Sequence, residues 1–498
     1  MTVADRPART RKAPAPTVGT FDSVSPATGE VVASYPLHGE DEVRAAVARA
    51  RAAFSWWQEL GYAGRRARLD AWNARLVQRS DELAELMHRE NGKPVSDARL
   101  EITLAVDHIA WAGKHAKKVL GRRRVAAGML MANQAATLEY PALGVVGVIG
   151  PWNYPVFTPM GSLAYALAAG NTVVFKPSEH TPAVGAFLVE TFASVVPEHP
   201  VLQLVTGLGD TGAALCRAGV DKIAFTGSAR TGRKVMAACA EGLVPVLMEC
   251  GGKDAMIVDD DADVTKAADA ALWGGMQNAG QACISIERVY ATDKVYDAFV
   301  AELTTRASAL VAGESYGPIT MPSQVDIIRE HIADALASGG RALTGGGIDG
   351  YLVEPTVLVD VPESSKAVQE ETFGPTLTVT RVRDAEEALR LTNDSAYGLA
   401  GSVFGKKRAM DIAARMRSGM TSVNQVAAFA GVPGLPFGGS GESGFGRIHG
   451  EDGLREFTRA KAITRQRYDL PIKVLSFDRS ARTDALLARA TKLLHGRG

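Results

Sequence analysis

The sequence predicts an α/β fold built on a parallel sheet, and an alternation of strands and helices indicates it. Between residues 145 and 250, short apolar strands alternate with helical segments, which is typical of right-handed βαβ units with helices on both faces of a sheet. The N-terminal third has a helical periodicity instead. The predicted strands are Val145–Ile149, Thr172–Phe175, Val201–Val205, Lys222–Thr226 and Val244–Glu249.

The composition indicates a globular protein. The chain has 498 residues, of which 46% are hydrophobic, and this length suffices for two or three domains. Its 55 Lys+Arg balance 55 Asp+Glu, so the net charge gives no sign of a nucleic-acid or membrane partner. The four cysteines form no C-x-x-C pair and predict neither a zinc site nor a disulfide framework. We therefore expect no metal and a reducing, cytoplasmic location.

Two segments could be mistaken for targeting or membrane elements. The first sixteen residues are basic and rich in Pro and Ala but lack the apolar core of a secretory signal, so we expect residues 1–20 to be a disordered tail. Residues 140–175 contain no charged side chain, which raises the question of a membrane span. Four prolines break this stretch, so we interpret it as a buried core segment and expect no transmembrane helix.

The helical region begins near residue 41. Asp41 is expected to cap the first helix, and apolar residues from Val43 to Trp57 follow at helical spacing. A second apolar run from Leu69 to Met87 predicts the next helix, which the segment at 91–94 ends. Between Arg122 and Tyr140 the pattern favours a β-hairpin, for which we expect a role in subunit contact.

Ligands of parallel sheets bind beyond the carboxyl ends of the strands, and three predicted strand ends carry polar residues. Asn153 follows the first strand, and its amide could donate a hydrogen bond to a developing oxyanion, although a turn asparagine would have the same sequence. Lys176 and Glu179 follow the second strand and could hold the hydroxyls of a ribose. The alternative for that pair is a solvated loop.

The third strand end opens into a helix through Gly227. Backbone amides and the helix dipole at this point could meet a pyrophosphate. The segment 225–232 lacks the G-x-G-x-x-G pattern of the common dinucleotide fingerprint, so the motif is weak by itself.

Cys283 and Glu249 are the two residues with the clearest chemical potential. A cysteine between small and apolar neighbours is usually core packing. Glu249, however, ends an apolar strand, where an idle carboxylate would be costly. A thiol nucleophile and a carboxylate base together permit a two-step covalent mechanism. A free thiol has a pKa of about 8.5, so such a nucleophile needs donors or a positive charge nearby.

Taken together, these segments resemble the aldehyde dehydrogenase superfamily from about residue 20 to about residue 467. Several independent motifs occur in the order of that family. They are PWNYP, FKPSE, FTGSARTG, MECGGK, NAGQACIS, EETFGP and PFGG followed by SGFGR.

The resemblance implies a role for each matched residue. Cys283 corresponds to the nucleophile that adds to the aldehyde, and the Asn153 amide with the Cys283 backbone N–H to the donors that hold the thiohemiacetal oxygen. Glu249 corresponds to the general base that activates water against the thioester. The implied cofactor is a nicotinamide dinucleotide, held by Trp152, Lys176, Glu179, Gly227, Ser228, Gly232, Glu371 and Phe373.

Two residues set expectations for the cofactor and the substrate. The Glu179 carboxylate would accept hydrogen bonds from both ribose hydroxyls but repel a 2′-phosphate, so NAD is expected over NADP. Succinate-semialdehyde enzymes of the family carry an arginine where Gly161 stands here, so we expect an uncharged, largely apolar aldehyde.

The resemblance completes the predicted organisation, which is aldehyde dehydrogenase-like: a parallel-sheet cofactor domain, an α/β catalytic domain and a small β oligomerisation arm. The cofactor domain takes 21–121 and 141–250, the catalytic domain 251–450, and the arm 122–140 and 451–470. A helical tail is expected at 471–498. Family members assemble, so we expect a homodimer or homotetramer.

The tail has an apolar stripe at helical spacing with basic residues off it. We expect it to pack on the protein or on a partner subunit, and the alternative is peripheral attachment to a membrane surface. The stripe consists of Leu486, Leu487, Ala490, Leu493 and Leu494.

The predicted function is NAD-dependent oxidation of an aldehyde to its carboxylic acid. One alternative is a coenzyme A-acylating enzyme, against which Glu249 argues, because such enzymes commonly lack this base. A second alternative is a non-catalytic structural protein on the same fold, which would need neither Cys283 nor Glu249.

Overall fold

The computed structural model describes residues 19–496, so residues 1–18 of the predicted disordered tail lie outside the described part of the chain. The chain divides into two compact units. The larger unit contains the residues up to Val119 and Ala142–Thr458, and the smaller unit contains Leu120–Pro141 and the residues from Arg459 onward.

The strands and helices of the described residues alternate after a helical N-terminal region. The strands are β1 Thr20–Val24, β2 Val31–Pro36, β3 Arg123–Val125, β4 Gln134–Glu139, β5 Val145–Ile149, β6 Thr172–Lys176, β7 Leu202–Leu204, β8 Lys222–Thr226, β9 Val246–Glu249, β10 Asp254–Val258, β11 Ile286–Thr292, β12 Arg341–Thr344, β13 Ile348–Asp349, β14 Leu352–Val353, β15 Thr356–Val359, β16 Thr376–Val382, β17 Ala400–Phe404, β18 Met420–Val423, β19 Gly444–Phe445 and β20 Lys461–Gln466. The helices are α1 Glu40–Glu59, α2 Gly61–Gln78, α3 Ser80–Asn91, α4 Val95–Leu120, α5 Phe157–Ala169, α6 Pro182–Val195, α7 Gly209–Arg217, α8 Ala229–Ala240, α9 Val264–Met276, α10 Asp293–Ala307, α11 Pro322–Ala337, α12 Lys366–Gln369, α13 Ala385–Asn393, α14 Ala409–Arg415, α15 Gly450–Glu456 and α16 Ala481–His495.

The N-terminal region differs from the prediction in three details. An antiparallel hairpin of β1 and β2 precedes the helices. Asp41 is not the cap of α1: the helix starts at Glu40 after Gly39, whose backbone N–H donates to the Glu42 carboxylate at 3.0 Å. The run from Leu69 to Met87 forms two helices, α2 and α3, because the chain leaves the helical conformation at Arg79.

The first sheet of the larger unit contains the five strands predicted from the sequence. Its order is β19-β9-β8-β5-β6-β7, and β5 to β9 are all parallel. Only β19 runs antiparallel, beside β9. Apolar side chains of α1, α7 and α8 pack with this sheet in one core cluster, while α5 and α6 pack against β5, β6 and β7.

The second sheet of the larger unit follows the first in sequence. Its order is β12-β15-β16-β11-β10-β17-β18, and every pair except β12 with β15 is parallel. One face packs against α9, α10 and α11, and another core cluster joins the sheet to α13 and α14. The α/β fold expected from the sequence is therefore present, with helices packed on two largely parallel sheets.

The smaller unit contains the hairpin predicted at 122–140. Strand β4 pairs with β3 on one side and with β20 on the other, both antiparallel. The predicted second segment of the arm started at 451, whereas the smaller unit starts at Arg459, because α15 packs on α5 of the larger unit. Among the described residues, no helix has both the length and the apolar character needed to cross a membrane.

Candidate active site

The candidate site lies where the two sheets of the larger unit are joined in sequence. Strand β9 ends at Glu249 and strand β10 begins at Asp254, so four residues connect the sheets. The first sheet contributes the residues beyond its carboxyl ends. The second contributes two loops, the one with Cys283 before β11 and residues 371–373 before β16, and these two strands are neighbours. The predicted site residues therefore converge from both sheets.

The backbone around Cys283 is tightly constrained. Residues 278–280, just before it, have φ angles of 50°, 57° and 70°, a left-handed conformation that is typical of strained functional loops. The Cys283 carbonyl oxygen lies 2.6 Å from the position that a Cβ on Gly252 would occupy. Any larger residue at 252 would push the cysteine loop away, so the close approach requires glycine.

The Cys283 thiol is partly buried and lies near three carboxyl groups. Burial raises the pKa of this thiol well above its ordinary value, and the carboxyl groups of Glu249, Asp254 and Glu371 raise it further. The donors or positive charge expected from the sequence are therefore not supplied by these neighbours. The resting thiol is protonated at neutral pH, and a nearby base or cation is needed to activate it.

Glu249 is buried at the end of β9, and its Oε1 has no hydrogen-bond partner within the described residues. Burial raises the pKa of its carboxyl well above the usual range, Arg447 lowers it and Glu456 raises it. A carboxyl group whose pKa is raised binds a proton more tightly, as a general base that takes a proton from water must.

Asn153 is held through its side chain and through its backbone carbonyl. Its Nδ2 donates to the Gln281 carbonyl at 3.0 Å, two residues before Cys283. Its own carbonyl accepts hydrogen bonds from Asn278 Nδ2 at 3.1 Å and from Lys93 Nζ at 2.8 Å. Because a side-chain amide has two N–H groups, Asn153 Nδ2 has a second donor besides the one that meets the Gln281 carbonyl.

The loop at 371–373 is anchored by a buried carboxylate. Glu287, which pairs with Lys253, accepts the backbone N–H of Thr372 at 2.8 Å and of Phe373 at 3.0 Å. Phe373 has a left-handed φ of 50°, and its ring meets Trp152 edge to face at 5.6 Å between centroids. The aromatic pair predicted to hold the cofactor is thus in contact.

Glu371 accepts the backbone N–H of Gly252 at 3.0 Å. Burial raises the pKa of its carboxyl to about 8. At neutral pH this group is mostly a protonated acid that can both donate and accept a hydrogen bond, as a ribose hydroxyl requires.

The remaining predicted cofactor residues lie along the carboxyl edge of the first sheet. Lys176 is buried, its pKa is lowered by burial, and its Nζ lies 3.7 Å from Glu179 Oε2. Ser228 caps α8 by accepting the Thr231 N–H at 3.3 Å. A Cβ on Gly232 would lie 3.2 Å from Cys250 Sγ, so this turn of α8 packs closely on the strand end.

This donor set fits a dinucleotide. Registers in the sheet place Lys176 beside Ile149, Ile149 beside Phe225 and Thr226 beside Glu249. At about 4.8 Å per strand, roughly 14 Å separates the Lys176 end from the Glu249 end, with the α8 N-terminus between them. Lys176 with Glu179, the N-terminus of α8 and Glu249 therefore follow each other along the edge of the first sheet, and a helix N-terminus favours an anion such as a pyrophosphate.

Three charged residues of the site, Lys93, Glu101 and Glu287, were missed in the sequence, whereas Lys253 belongs to the MECGGK motif as structural support. Lys93 and Glu101 hold the Asn153 segment, and Lys253 and Glu287 hold the 371–373 loop. The local sequence contains no clear signal for them, because Glu101 and Glu287 have Arg99 and Arg288 nearby and Lys93 follows a helix. The segment containing Lys93 had been interpreted only as a helix stop.

Comparisons with known proteins agree with this geometry. A family model described as the aldehyde dehydrogenase family matches residues 14–463. The chain is 38% identical to 4,4'-diapolycopene aldehyde oxidase of Methylomonas sp, covering 91% of this chain and 87% of that protein. It is 34% identical to succinate-semialdehyde dehydrogenase [NADP(+)] GabD of Escherichia coli, covering 89% and 93%. The crystal structure of an NAD-dependent aldehyde dehydrogenase from Sinorhizobium meliloti superposes with a TM-score of 0.88, 32% identity and coverage of 94% and 95%.

Proposed function

Because the chain belongs to the aldehyde dehydrogenase family, we propose that it oxidises an uncharged, largely apolar aldehyde to the carboxylic acid with NAD, through a covalent adduct on Cys283. The observation that carries this proposal is the convergence of Cys283, Glu249 and Asn153 at the joined edges of the two sheets. When bound, the nicotinamide ring accepts a hydride.

The first step joins the Cys283 sulfur to the aldehyde carbon. The thiol proton passes to water as the C–S bond forms, and the carbonyl oxygen becomes the negatively charged oxygen of a thiohemiacetal. The free N–H of the Asn153 amide and the Cys283 backbone N–H stabilise that oxygen. Departure of a hydride then leaves a thioester on Cys283.

The second step is hydrolysis of the thioester. Glu249 takes a proton from water, the resulting hydroxide attacks the acyl carbon, and the C–S bond breaks to release the acid and Cys283. The unpartnered Oε1 of Glu249 supports this role, because a buried oxygen without a partner is able to accept from water. Transfer to coenzyme A would not need this carboxylate, so hydrolysis is favoured over acylation.

Glu179 supports NAD as the cofactor. Its carboxylate stands 3.7 Å from Lys176, at the strand end expected to meet the adenosine ribose. A 2′-phosphate would place a second negative charge beside it, which is unfavourable. The relatives use both cofactors by name, since the E. coli protein is NADP-linked and the S. meliloti enzyme is NAD-dependent.

The surroundings of Gly161 support an uncharged substrate. A Cβ at this position would lie 2.7 Å from His449 Nε2 and 2.8 Å from Ile448 Cδ1, so a neutral ring and an aliphatic chain fill the space of a side chain. Burial lowers the pKa of His449 well below its usual value, so the imidazole carries no positive charge. A substrate carboxylate would have no cation to meet there.

A panel assay tests the proposed function. NADH formation would be followed by absorbance with short, long-chain, aromatic and acidic aldehydes, using equal concentrations of NAD or NADP. We expect the highest kcat/KM for an uncharged apolar aldehyde with NAD, and a carboxylic acid product. Succinate semialdehyde as the best substrate would overturn the substrate class, and no reduction with any aldehyde would favour the non-catalytic alternative.

A further inference from the structure

Lys93 and Glu101 form an ion pair in the interior of the larger unit. Lys93 lies between α3 and α4 and Glu101 lies on α4, and their side chains are 1% and 0% exposed. Removing two charges from water is costly even when they pair, so a buried ion pair needs further contacts to be worth keeping. The further hydrogen bonds of the two side chains are all made to one segment of the chain.

That segment is the turn from Asn153 into α5. Lys93 Nζ donates to the Asn153 carbonyl at 2.8 Å. Glu101 Oε1 accepts the backbone N–H of Val156 at 2.8 Å and of Phe157 at 3.0 Å. These are the first amides of α5, whose positive helix end favours a carboxylate. The pair thus fixes the backbone on both sides of residues 154 and 155.

The same segment is attached to the cysteine loop on its other side. Asn278 Nδ2 also donates to the Asn153 carbonyl, at 3.1 Å, and Asn153 Nδ2 donates to the Gln281 carbonyl at 3.0 Å. The backbone oxygen of Asn153 therefore has two donors, of which one belongs to the ion pair and one to the loop before Cys283. The direction of the Asn153 amide depends on both.

We propose that Lys93 and Glu101 are positioning residues that aim the Asn153 amide at the substrate oxygen. This inference rests on the proposed function. The pair does not touch the reacting atoms; it acts through the backbone of Asn153 and the start of α5. Its loss would lower the stabilisation of the oxyanion with little change in cofactor binding, because every cofactor residue named above except Trp152 lies on another segment.

A second buried pair offers a matched comparison. Lys253 and Glu287 are 1% and 2% exposed, and Glu287 accepts two backbone amides, those of Thr372 and Phe373. The two pairs have the same residue types and the same burial, but they hold opposite sides of the site. Replacing Lys93 and Glu101 should therefore lower kcat/KM for the aldehyde, and replacing Lys253 and Glu287 should raise KM for NAD.

The test is a mutant cycle with N153A. The double variant K93M/E101Q removes both charges and leaves none unpaired, and E101Q alone is a milder, isosteric change should the double variant fail to fold. Removing one oxyanion donor typically costs about 10²–10³-fold in rate. We expect K93M/E101Q to lower kcat/KM for the aldehyde by about tenfold to a hundredfold, with KM for NAD nearly unchanged.

In the N153A background, K93M/E101Q is expected to cause less than about a twofold further loss, because residues that act as a unit are not additive. An equal loss in both backgrounds would show that the pair does not act through Asn153 and would overturn the inference. For K253M/E287Q we expect the opposite pattern, a raised KM for NAD with additive behaviour toward N153A.

Crystal structures of the wild type and K93M/E101Q give a readout that does not depend on aldehyde oxidation. We expect the variant to lose the hydrogen bond from Asn153 Nδ2 to the Gln281 carbonyl, and an unchanged Asn153 side chain would overturn the inference. A wild-type protein that reduces no cofactor with any aldehyde would instead contradict the proposed function, while the crystallographic comparison still decides whether the pair orients Asn153.

Discussion

Glu249 Oε1 lies 2.6 Å from the position that a Cβ on Gly438 would occupy. The carboxylate oxygen without a partner is therefore covered by a residue that has no side chain. A Cβ there would also meet the Gly446 carbonyl at 2.8 Å and Arg447 Cδ at 3.0 Å. The space that Gly438 leaves open is the space in which the Glu249 carboxyl can lie.

Replacing Gly438 by alanine should therefore impair Glu249. The methyl group would displace the carboxylate, and hydrolysis of the thioester should slow by about tenfold or more, up to the 10²–10⁴-fold that a general base typically contributes. Stopped-flow absorbance should still show a burst of NADH that corresponds to one turnover per active site. The matched control is Gly439→Ala, whose Cβ would crowd Ser443 at 2.6 Å and not Glu249, and a slowing as large in that control would contradict the prediction.

Glu249→Gln should separate the two chemical steps. Thiol addition and hydride departure remain possible, so one burst of NADH per active site should precede a steady state that is slower by about 10²–10⁴-fold. Intact mass spectrometry should find one acyl adduct, mapped to Cys283. Cys283→Ala is the control and should bind NAD without burst or adduct. A Gln variant with neither burst nor adduct would show that Glu249 acts before hydride departure, on the thiol itself.

Glu179→Gln should weaken the preference for NAD. The full Coulomb repulsion of two unit charges at 4 Å is about 4 kcal/mol at an effective dielectric constant of 20. Glu179 is 39% exposed, so solvent screens it, and we expect the ratio of kcat/KM for NAD to that for NADP to fall by only about tenfold. Glu190→Gln, on α6, is the control and should leave the ratio of the two kcat/KM values unchanged. Equal efficiency with both cofactors in the wild type would refute the preference.

His108 and His449 should make the larger unit less stable in mild acid. Their rings are tilted by 38° with 3.7 Å between centroids, and burial lowers the pKa of both below the ordinary 6.5, although the Ala430 carbonyl and Asp107 raise that of His108. Below pH 6.5 the unfolded chain binds protons that the folded state excludes, so the free energy of unfolding falls as the pH falls.

Urea denaturation from about pH 5 to about pH 7 measures this dependence. The slope should become smaller in His449→Phe, by at most about 1.4 kcal/mol per pH unit for one titrating group. His495→Ala, at an exposed position on α16, is the control and should leave the slope unchanged. An unaltered slope in His449→Phe would mean that other groups govern the acid sensitivity.

The C-terminal helix should contribute to assembly. Helix α16 is present, but three leucines of its apolar stripe stay exposed among residues 19–496: Leu486, Leu493 and Leu494 are 49%, 77% and 37% exposed. Contact with a partner subunit would bury these side chains, so truncation after Arg467 should reduce the mass of the oligomer in light scattering. Co-sedimentation of the intact but not the truncated protein with anionic vesicles would support membrane attachment instead.

Much of the fold and of the site could be predicted because its signals are local. A strand such as Val145–Ile149 is a continuous apolar run between turn residues, and the residues at its end, such as Asn153, lie within a short motif. Proximity in sequence then fixes proximity in space. The pairing of the parallel strands is predictable for the same reason, since each βαβ unit is right-handed and short.

The parts that were missed depend on contacts between distant residues. Lys93 meets a carbonyl 60 residues away, and no local pattern distinguishes it from a lysine that follows a helix. The cap of α1 depends on which of Gly39, Glu40 and Asp41 leaves the helical conformation, and three polar residues in a row leave this open. The neighbours that raise the Cys283 pKa come from three other segments of the chain.

The three-stranded sheet of the smaller unit has a consequence for how the protein is made. Thr137 on β4 bonds to Ile463 on β20, 326 residues later in the chain. At a synthesis rate of about 5–20 residues per second, one edge of β4 waits roughly 16–65 s for its partner strand. An unpaired strand edge is a template for pairing with other chains. During this interval a second nascent chain or a chaperone can reach β4 before its own C-terminus does.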